Sequence, residues 1–173
     1  MKSVIIYKGK YGATRQYAEW LGATLHLPLK TPEDLLEADI KTHDFIMMGS
    51  SVYIGKLLIC DWIKQYAGIL KNKNLLLFVV CGSNNPKEQE KIIAQNIPQG
   101  VLDPSRIFFL PGRLIQSKLS WKDRFMLKVG AMMVKDPEAK KFMLQDRDNV
   151  KEENIREIVN ISSSVLKPDS IPL

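Results

Sequence analysis

Ser3-Val4-Ile5-Ile6-Tyr7-Lys8-Gly9-Lys10-Tyr11-Gly12-Ala13-Thr14-Arg15 opens the chain and sets the reading of everything after it. Residues 4–7 form an apolar run without alternation, the pattern of a strand buried on both faces. A polar segment with two glycines follows. From Thr14 the spacing turns helical, with Tyr17, Ala18, Leu21 and Leu25 on one side. Strand, glycine loop and helix N-terminus together aim backbone N–H groups and the positive end of a helix dipole at an anion such as a phosphate. Glycine permits the backbone angles and the close approach that such a loop needs. Many βα turns carry two glycines for tight turning alone, so the loop by itself leaves both readings open.

Outward from this unit the alternation continues. Phe45-Ile46-Met47-Met48-Gly49 reads as a second buried strand, running into the loop Gly49-Ser50-Ser51-Val52-Tyr53-Ile54-Gly55-Lys56, with a helical pattern over residues 57–66. Residues 75–80 read as a third buried strand, ending in Cys81-Gly82-Ser83-Asn84-Asn85-Pro86, and Pro86 opens a helix to about residue 96. Arg106-Ile107-Phe108-Phe109-Leu110 is a further strand, closed by Pro111-Gly112. His26-Leu27-Pro28-Leu29 fits an outer strand, since proline is tolerated at sheet edges. Thr31-Pro32-Glu33-Asp34 is a helix start, with Leu35, Leu36 and Ile40 as that helix's apolar side. Apolar strands alternating with amphipathic helices predict an α/β fold of parallel βαβ units with helices on both sheet faces. Three loops with small, polar and glycine residues then converge outside the carboxyl ends of the strands, where open α/β sheets bind ligands.

At 173 residues, 45% hydrophobic and 25% charged, the chain is expected to form one globular domain over 1–173. Its two cysteines, Cys60 and Cys81, are far apart, which excludes a disulfide framework and a zinc ribbon and suggests a reducing compartment. His26 and His43 stand in no ligand cluster, so no metal site is expected. Residues 4–7 are too short for a secretory signal, and residues 75–81 fall far below the ~20 residues that span a bilayer. The expected location is cytoplasmic, at most peripheral on the inner face of a membrane. Most of the net charge of +6 lies in residues 111–151, which hold ten Lys/Arg against five Asp/Glu. That stretch has no nucleic-acid reading motif.

The basic stretch carries its own helix. Ser120 is its cap; Trp121, Phe125, Val129 and Met132 or Met133 fall on one stripe; Lys122, Arg124, Lys128 and Lys135 decorate the flanks. Three readings of the stripe stay open: it packs on the sheet with the lysines in water, it lies on an anionic bilayer surface, or it covers an apolar substrate carrying carboxylates. Gly130, Asp136 and Pro137 read as the helix end, with a polar loop to residue 150. A last helix is expected over residues 151–165, with Ile155, Ile158, Val159 and Ser162 facing the core, and residues 167–173 as a frayed tail.

On these residues the chain resembles the flavodoxin-like family over essentially its whole length. The resemblance implies a doubly wound five-stranded parallel sheet in the order 2-1-3-4-5, with a basic helical insert at about residues 112–150, and FMN as cofactor. That family's first loop follows a Thr-x-x-Gly-x-Thr pattern around the FMN phosphate. Gly12-Ala13-Thr14 matches the second half, while Lys8 and Gly9 stand where hydroxyl residues are usual. The resemblance thus places Lys8, Gly9, Lys10, Tyr11, Gly12, Ala13 and Thr14 at the phosphate, with Lys8 or Lys10 adding charge. It places Ser50, Ser51, Val52 and Tyr53 beside the isoalloxazine ring, Tyr53 as a stacking residue. Cys81, Gly82, Ser83 and Asn84 fall on the other side of the ring and along its pyrimidine edge, with Cys81 a small buried residue rather than a redox thiol.

Within the family, Ser120-Trp121-Lys122-Asp123-Arg124-Phe125-Met126-Leu127-Lys128 and Pro111-Gly112-Arg113-Leu114 resemble the quinone-dependent protoporphyrinogen IX dehydrogenases. That branch implies electron transfer from a porphyrinogen through FMN to a quinone, with Arg113, Lys118, Trp121, Lys122, Arg124 and Lys128 toward substrate or membrane. Two other readings stand beside it: a flavodoxin-type electron carrier docking on an acidic partner, and a non-catalytic flavodoxin-like binding module, which the Lys8-Gly9 departure favours. The three loops hold no carboxylate pair and no Ser/His arrangement, so no catalytic acid or base is named. The ends of the first strand at Tyr7-Lys8 and of the central one at Gly49 argue against a phosphorylated receiver, which needs acids there.

Overall fold

The computed structural model describes residues 1–166; the expected tail at 167–173 lies outside the described residues. The chain runs β1 (Ser3–Lys8), α1 (Ala13–Leu25), β2 (Leu29–Lys30), α2 (Glu37–Thr42), β3 (Phe45–Tyr53), β4 (Lys56–Leu57), α3 (Cys60–Leu70), β5 (Asn74–Cys81), α4 (Pro86–Asn96) and β6 (Ile107–Pro111). An inserted segment follows, with β7 (Arg113–Leu114), α5 (Trp121–Met133), α6 (Pro137–Leu144) and β8 (Arg147–Asp148), and α7 (Arg156–Leu166) closes the fold. Five parallel strands pair in the order β2-β1-β3-β5-β6, and β4 folds back antiparallel on β3. Counting parallel strands only, this is the flavodoxin-like 2-1-3-4-5 order.

The unalternating runs are explained by two-sided burial. Ile5, Met47, Leu76 and Phe78 face α1 and α7, where they meet Tyr17, Leu21 and Ile158. Their neighbours Ile6, Ile46, Met48, Leu77 and Val79 face the opposite side, against Ile40, Ile63 and Ile92 of α2, α3 and α4. Successive residues of a strand point to opposite faces, so both sets must be apolar.

Several local expectations change. The outer strand starts at Leu29 rather than His26; Pro28 contributes only its carbonyl, which accepts from Ile5 N. Thr31-Pro32-Glu33-Asp34 caps a single 3₁₀ turn, and α2 begins only at Glu37, which leaves Leu36 exposed while Leu35 and Ile40 are buried. Gly49 is not the start of a loop. It lies inside β3, opposite Phe78, whose ring fills the space where a Cβ would be. The strand continues to Tyr53, and Ile54 (φ 50°) with Gly55 (φ 72°) makes a two-residue hairpin into β4. Helix α3 accordingly starts at Cys60, not at residue 57.

The largest correction concerns the insert. Asp136-Pro137 does not end in a polar loop. The Asp136 carboxylate accepts from Glu138 N and Ala139 N, capping α6. The chain then returns as β8, antiparallel to β7, with Arg113 opposite Asp148 and Leu114 opposite Arg147. The final helix is preceded by a 3₁₀ turn over Glu152–Ile155, and Ile155, Ile158 and Ser162 are buried as expected.

Candidate functional site

At the carboxyl end of the sheet the three loops enclose one cavity. Its wall includes Lys10, Tyr11, Ala13 and Thr14 from the first loop, Ser51, Val52 and Tyr53 from the end of β3, and Cys81, Gly82 and Asn84 after β5. The insert contributes Arg113, Leu114, Phe142, Arg147 and Asn149.

The first loop is built for an anion. Gly12 is the N-cap of α1 at φ 85°, no side chain caps the helix, and its first turn holds no acid. The free amides and the dipole therefore face the cavity unopposed. Gly9 passes so close to Thr14 that a Cβ there would lie 2.7 Å from both Thr14 Cβ and Oγ1. Thr14 Oγ1 is buried without a hydrogen-bond partner, and so is Ser51 Oγ across the cavity. Buried hydroxyls without partners are uncommon and costly, so two of them on one cavity wall suit a ligand rich in acceptors and donors. The residues present therefore fit a phosphorylated, heteroaromatic group of the FMN type.

Second-loop placement depends on Asn96. This buried side chain accepts from Leu57 N (2.9 Å) and donates to Gly55 O (2.9 Å), fixing the hairpin that carries Tyr53. Ser50 turns away from the cavity: its Oγ donates to Ser51 O and accepts from Ile59 N ahead of α3. In the third loop, Ser83 is likewise spent on local structure, donating to Glu88 and accepting from Asn85 N. Cys81 donates to Ser83 O at 3.2 Å, and burial raises its thiol pKa, which keeps it protonated and unreactive.

Neither lysine of the first loop is left free for a phosphate. Lys8 pairs with Glu33 outside the cavity wall. Lys10 lies 2.7 Å from Asp123 in the first turn of α5, and 3.8 Å above the Tyr53 ring. Asp123 also accepts from the hydroxyls of Tyr11 and Tyr53, the latter at 2.6 Å, and Ser120 N donates to Tyr11 Oη. With Lys10 first and the two tyrosines next, these donors hold the Asp123 carboxyl well below the usual carboxylate range, and the Lys10 ammonium is raised in turn. One buried carboxylate thus ties the insert to both the first loop and Tyr53. Asp123 belongs to the quoted basic motif, but sequence pattern marks only its neighbours' charge.

Phe142, Arg147 and Asn149 were also hidden, inside the segment read as polar loop. Only recognition of Asp136-Pro137-Glu138 as a helix start, like Thr31-Pro32-Glu33, points to structure there. Among the remaining expected residues, Arg113 reaches the cavity while paired with Asp148 at 2.6 Å. Lys118, Trp121, Lys122, Arg124 and Lys128 stand outside it. The stripe of α5 does not pack on the sheet. Trp121, Phe125, Met126, Val129, Met132 and Met133 are all exposed, Trp121 at 75%, and the helix instead buries Asp123 and Ala131.

Among the described residues no helix is long and apolar enough to cross a membrane. A search of curated proteins gives no significant match. Among solved structures, a flavodoxin from the domain Archaea is 16% identical, with 96% of this chain and 100% of that chain covered at a TM-score of 0.48. The rubredoxin oxygen:oxidoreductase of Desulfovibrio gigas is 17% identical over 83% of this chain and 37% of that one, at 0.49. Oxidised flavodoxin 2 from Bacillus cereus is 16% identical, with 64% and 84% covered, at 0.45. Residues 4–141 match the family model described as Flavodoxin domain, which takes in the sheet, the three loops and the insert through α5. The chain belongs to the flavodoxin domain family.

Proposed function

We propose that this protein binds FMN in the cavity at the carboxyl end of its sheet and works in electron transfer. The observation that carries the reading is the first loop: an uncapped α1 N-terminus beside a buried Thr14 hydroxyl that has no partner. FMN, when bound, supplies the redox chemistry. The chain's own residues do the rest. Backbone amides after Gly9 and the Thr14 hydroxyl hold the phosphate. Tyr53 flanks one face of the ring, held by Asp123 and Lys10, and the 81–84 loop meets the opposite edge. The insert closes over this arrangement and excludes water. Purified protein with a flavin absorption spectrum, or colourless protein that quenches FMN fluorescence at one equivalent, is the expected result. A colourless protein that leaves titrated FMN fluorescence unchanged overturns the reading.

A finer reading is favoured by the exposed face of α5. Six large apolar side chains and the basic Lys122, Arg124 and Lys128 stand on the helix whose Asp123 meets Tyr11 and Tyr53 of the cavity wall. Apolar area with a basic flank suits an anionic bilayer surface, the place where a quinone is available. In this reading the protein oxidises a porphyrinogen and reduces a quinone to its quinol. Anaerobic mixing of the FMN-loaded protein with protoporphyrinogen and a menaquinone analogue tests it: porphyrin fluorescence should rise in step with quinol formation. Fluorescence at the level of the protein-free mixture leaves a carrier that docks on an acidic redox partner.

A further inference from the structure

Three cations line the cavity: Lys10, Arg113 and Arg147. Two are neutralised on the spot, Lys10 by Asp123 and Arg113 by Asp148. Arg147 forms no ion pair among the described residues. Its guanidinium lies 4.2 Å from the centroid of the Phe142 ring, and Nη1 donates to Phe142 O at 2.8 Å. These contacts with α6, together with the β7–β8 pairing, fix the group in place. Its Nη2 is 3.5 Å from where a Cβ on Gly82 would stand, so it overhangs the backbone of the third loop. Burial pulls its pKa below the ordinary guanidinium value, as expected for a cation lacking a negative neighbour.

We propose that Arg147 supplies a fixed positive charge to the pyrimidine edge of the FMN ring, stabilising negative charge on its N1–C2=O side and favouring transfer of electrons in pairs. This rests on the FMN reading above and on the 81–84 loop as the partner of that edge. A positive charge held in a partly desolvated wall acts on a nearby anion far more strongly than one in bulk water. The insert then does more than cover the site: through β8 it brings the one unpaired cation of the described cavity wall against a loop that carries no charged side chain.

Sulfite is a direct probe of that charge. Its sulfur lone pair forms a bond to flavin N5, the C4a=N5 π electrons move to the N1–C2=O side, no group leaves, and the visible band bleaches. The full chain, loaded with FMN and quantified by absorbance, is titrated with sulfite without substrate. Wild type is expected to bleach. Arg147→Gln should bind FMN at the same stoichiometry and need roughly tenfold more sulfite or above, the loss expected for one nearby charge. Arg147→Lys should stay close to wild type. Asn149→Asp, which keeps Arg147 and adds a carboxylate to the same wall, should also lose sulfite affinity, and it serves if Arg147→Gln takes up no FMN. FMN-loaded wild type that does not bleach, or sulfite affinity unchanged in Arg147→Gln and Asn149→Asp, overturns this inference alone. Wild type that takes up no FMN overturns the parent reading and this one with it.

Discussion

Asp123 of the insert accepts a 2.6 Å hydrogen bond from the hydroxyl of Tyr53, the last residue of β3, across seventy positions of sequence. The bond matters because α5 has little else to hold it: its broad apolar face is exposed, and it buries only Asp123 and Ala131. Asp123→Ala should therefore free the N-terminal end of the insert while the sheet stays folded. Amide hydrogen exchange should show α5 opening more easily by about 2 kcal/mol, the usual scale for hydrogen bonds to a charged group, with β3 and β5 unchanged. Equal loss of protection in the central strands would mean that the contact supports the whole fold instead.

The same cluster sets a pH window. The folded Asp123 carboxyl is depressed, so its contribution is fully present above the unfolded carboxylate value of ~3.9 and is lost as pH falls through the lower folded value. Lys10 is raised, so its contribution is present below the unfolded ammonium value of ~10.4 and is lost as pH rises through the higher folded one. The difference in thermal stability between wild type and Asp123→Asn should stay flat between these limits and shrink outside them. A difference that titrates near neutrality would place another group in control.

Gly49 is a packing residue, since the Phe78 ring occupies its Cβ position in the centre of the sheet. Phe78 is fully buried and cannot swing away cheaply. Gly49→Ala should destabilise the protein by about 1–3 kcal/mol, read from chemical denaturation. The double variant with Phe78→Leu should recover part of that loss. Additive losses would show that the two positions do not share a space.

The exposed face of α5 predicts an emission blue shift of Trp121 with vesicles of anionic phospholipid, and none with zwitterionic ones. Trp62 is buried and Trp20 half-buried, so the response is read as the difference from Trp121→Phe under the same conditions. Replacing Lys122, Arg124 and Lys128 by glutamine should reduce the response and its salt sensitivity together. A shift produced equally by both lipids removes the basic flank from the account, and a shift with neither removes the membrane and leaves a protein partner.

The sheet was legible because burial on both faces forces each strand into an unbroken apolar run, as at 45–48 and 75–80. The position of the loops was legible because each follows such a run, but the run does not say where a strand ends, so Gly49 reads as a loop residue although it lies inside β3. Proline and acid signals were ambiguous, since Asp136-Pro137 closes one helix and opens another with the same chemistry. Neither the Asp123 contact nor the Arg147 position has a local signature. Each depends on partners far along the chain, Tyr53 in one case and Gly82 in the other, and a single sequence carries no trace of that pairing. The face of α5 stayed open in the sequence for a plain physical reason: amphipathic spacing says which side is apolar, not what covers it.

The β7–β8 ladder brings Arg113 and Asp148 side by side, so the insert leaves the domain and rejoins it at nearly the same point. Such a stem makes the insert an exchangeable cassette. A change of length between its two strands leaves the register of the five parallel strands untouched, because all five precede it in the described chain. A descendant lineage that rewrites these roughly thirty residues changes what the domain meets at its surface and, through Asp123 and Phe142, the wall of the cavity beneath.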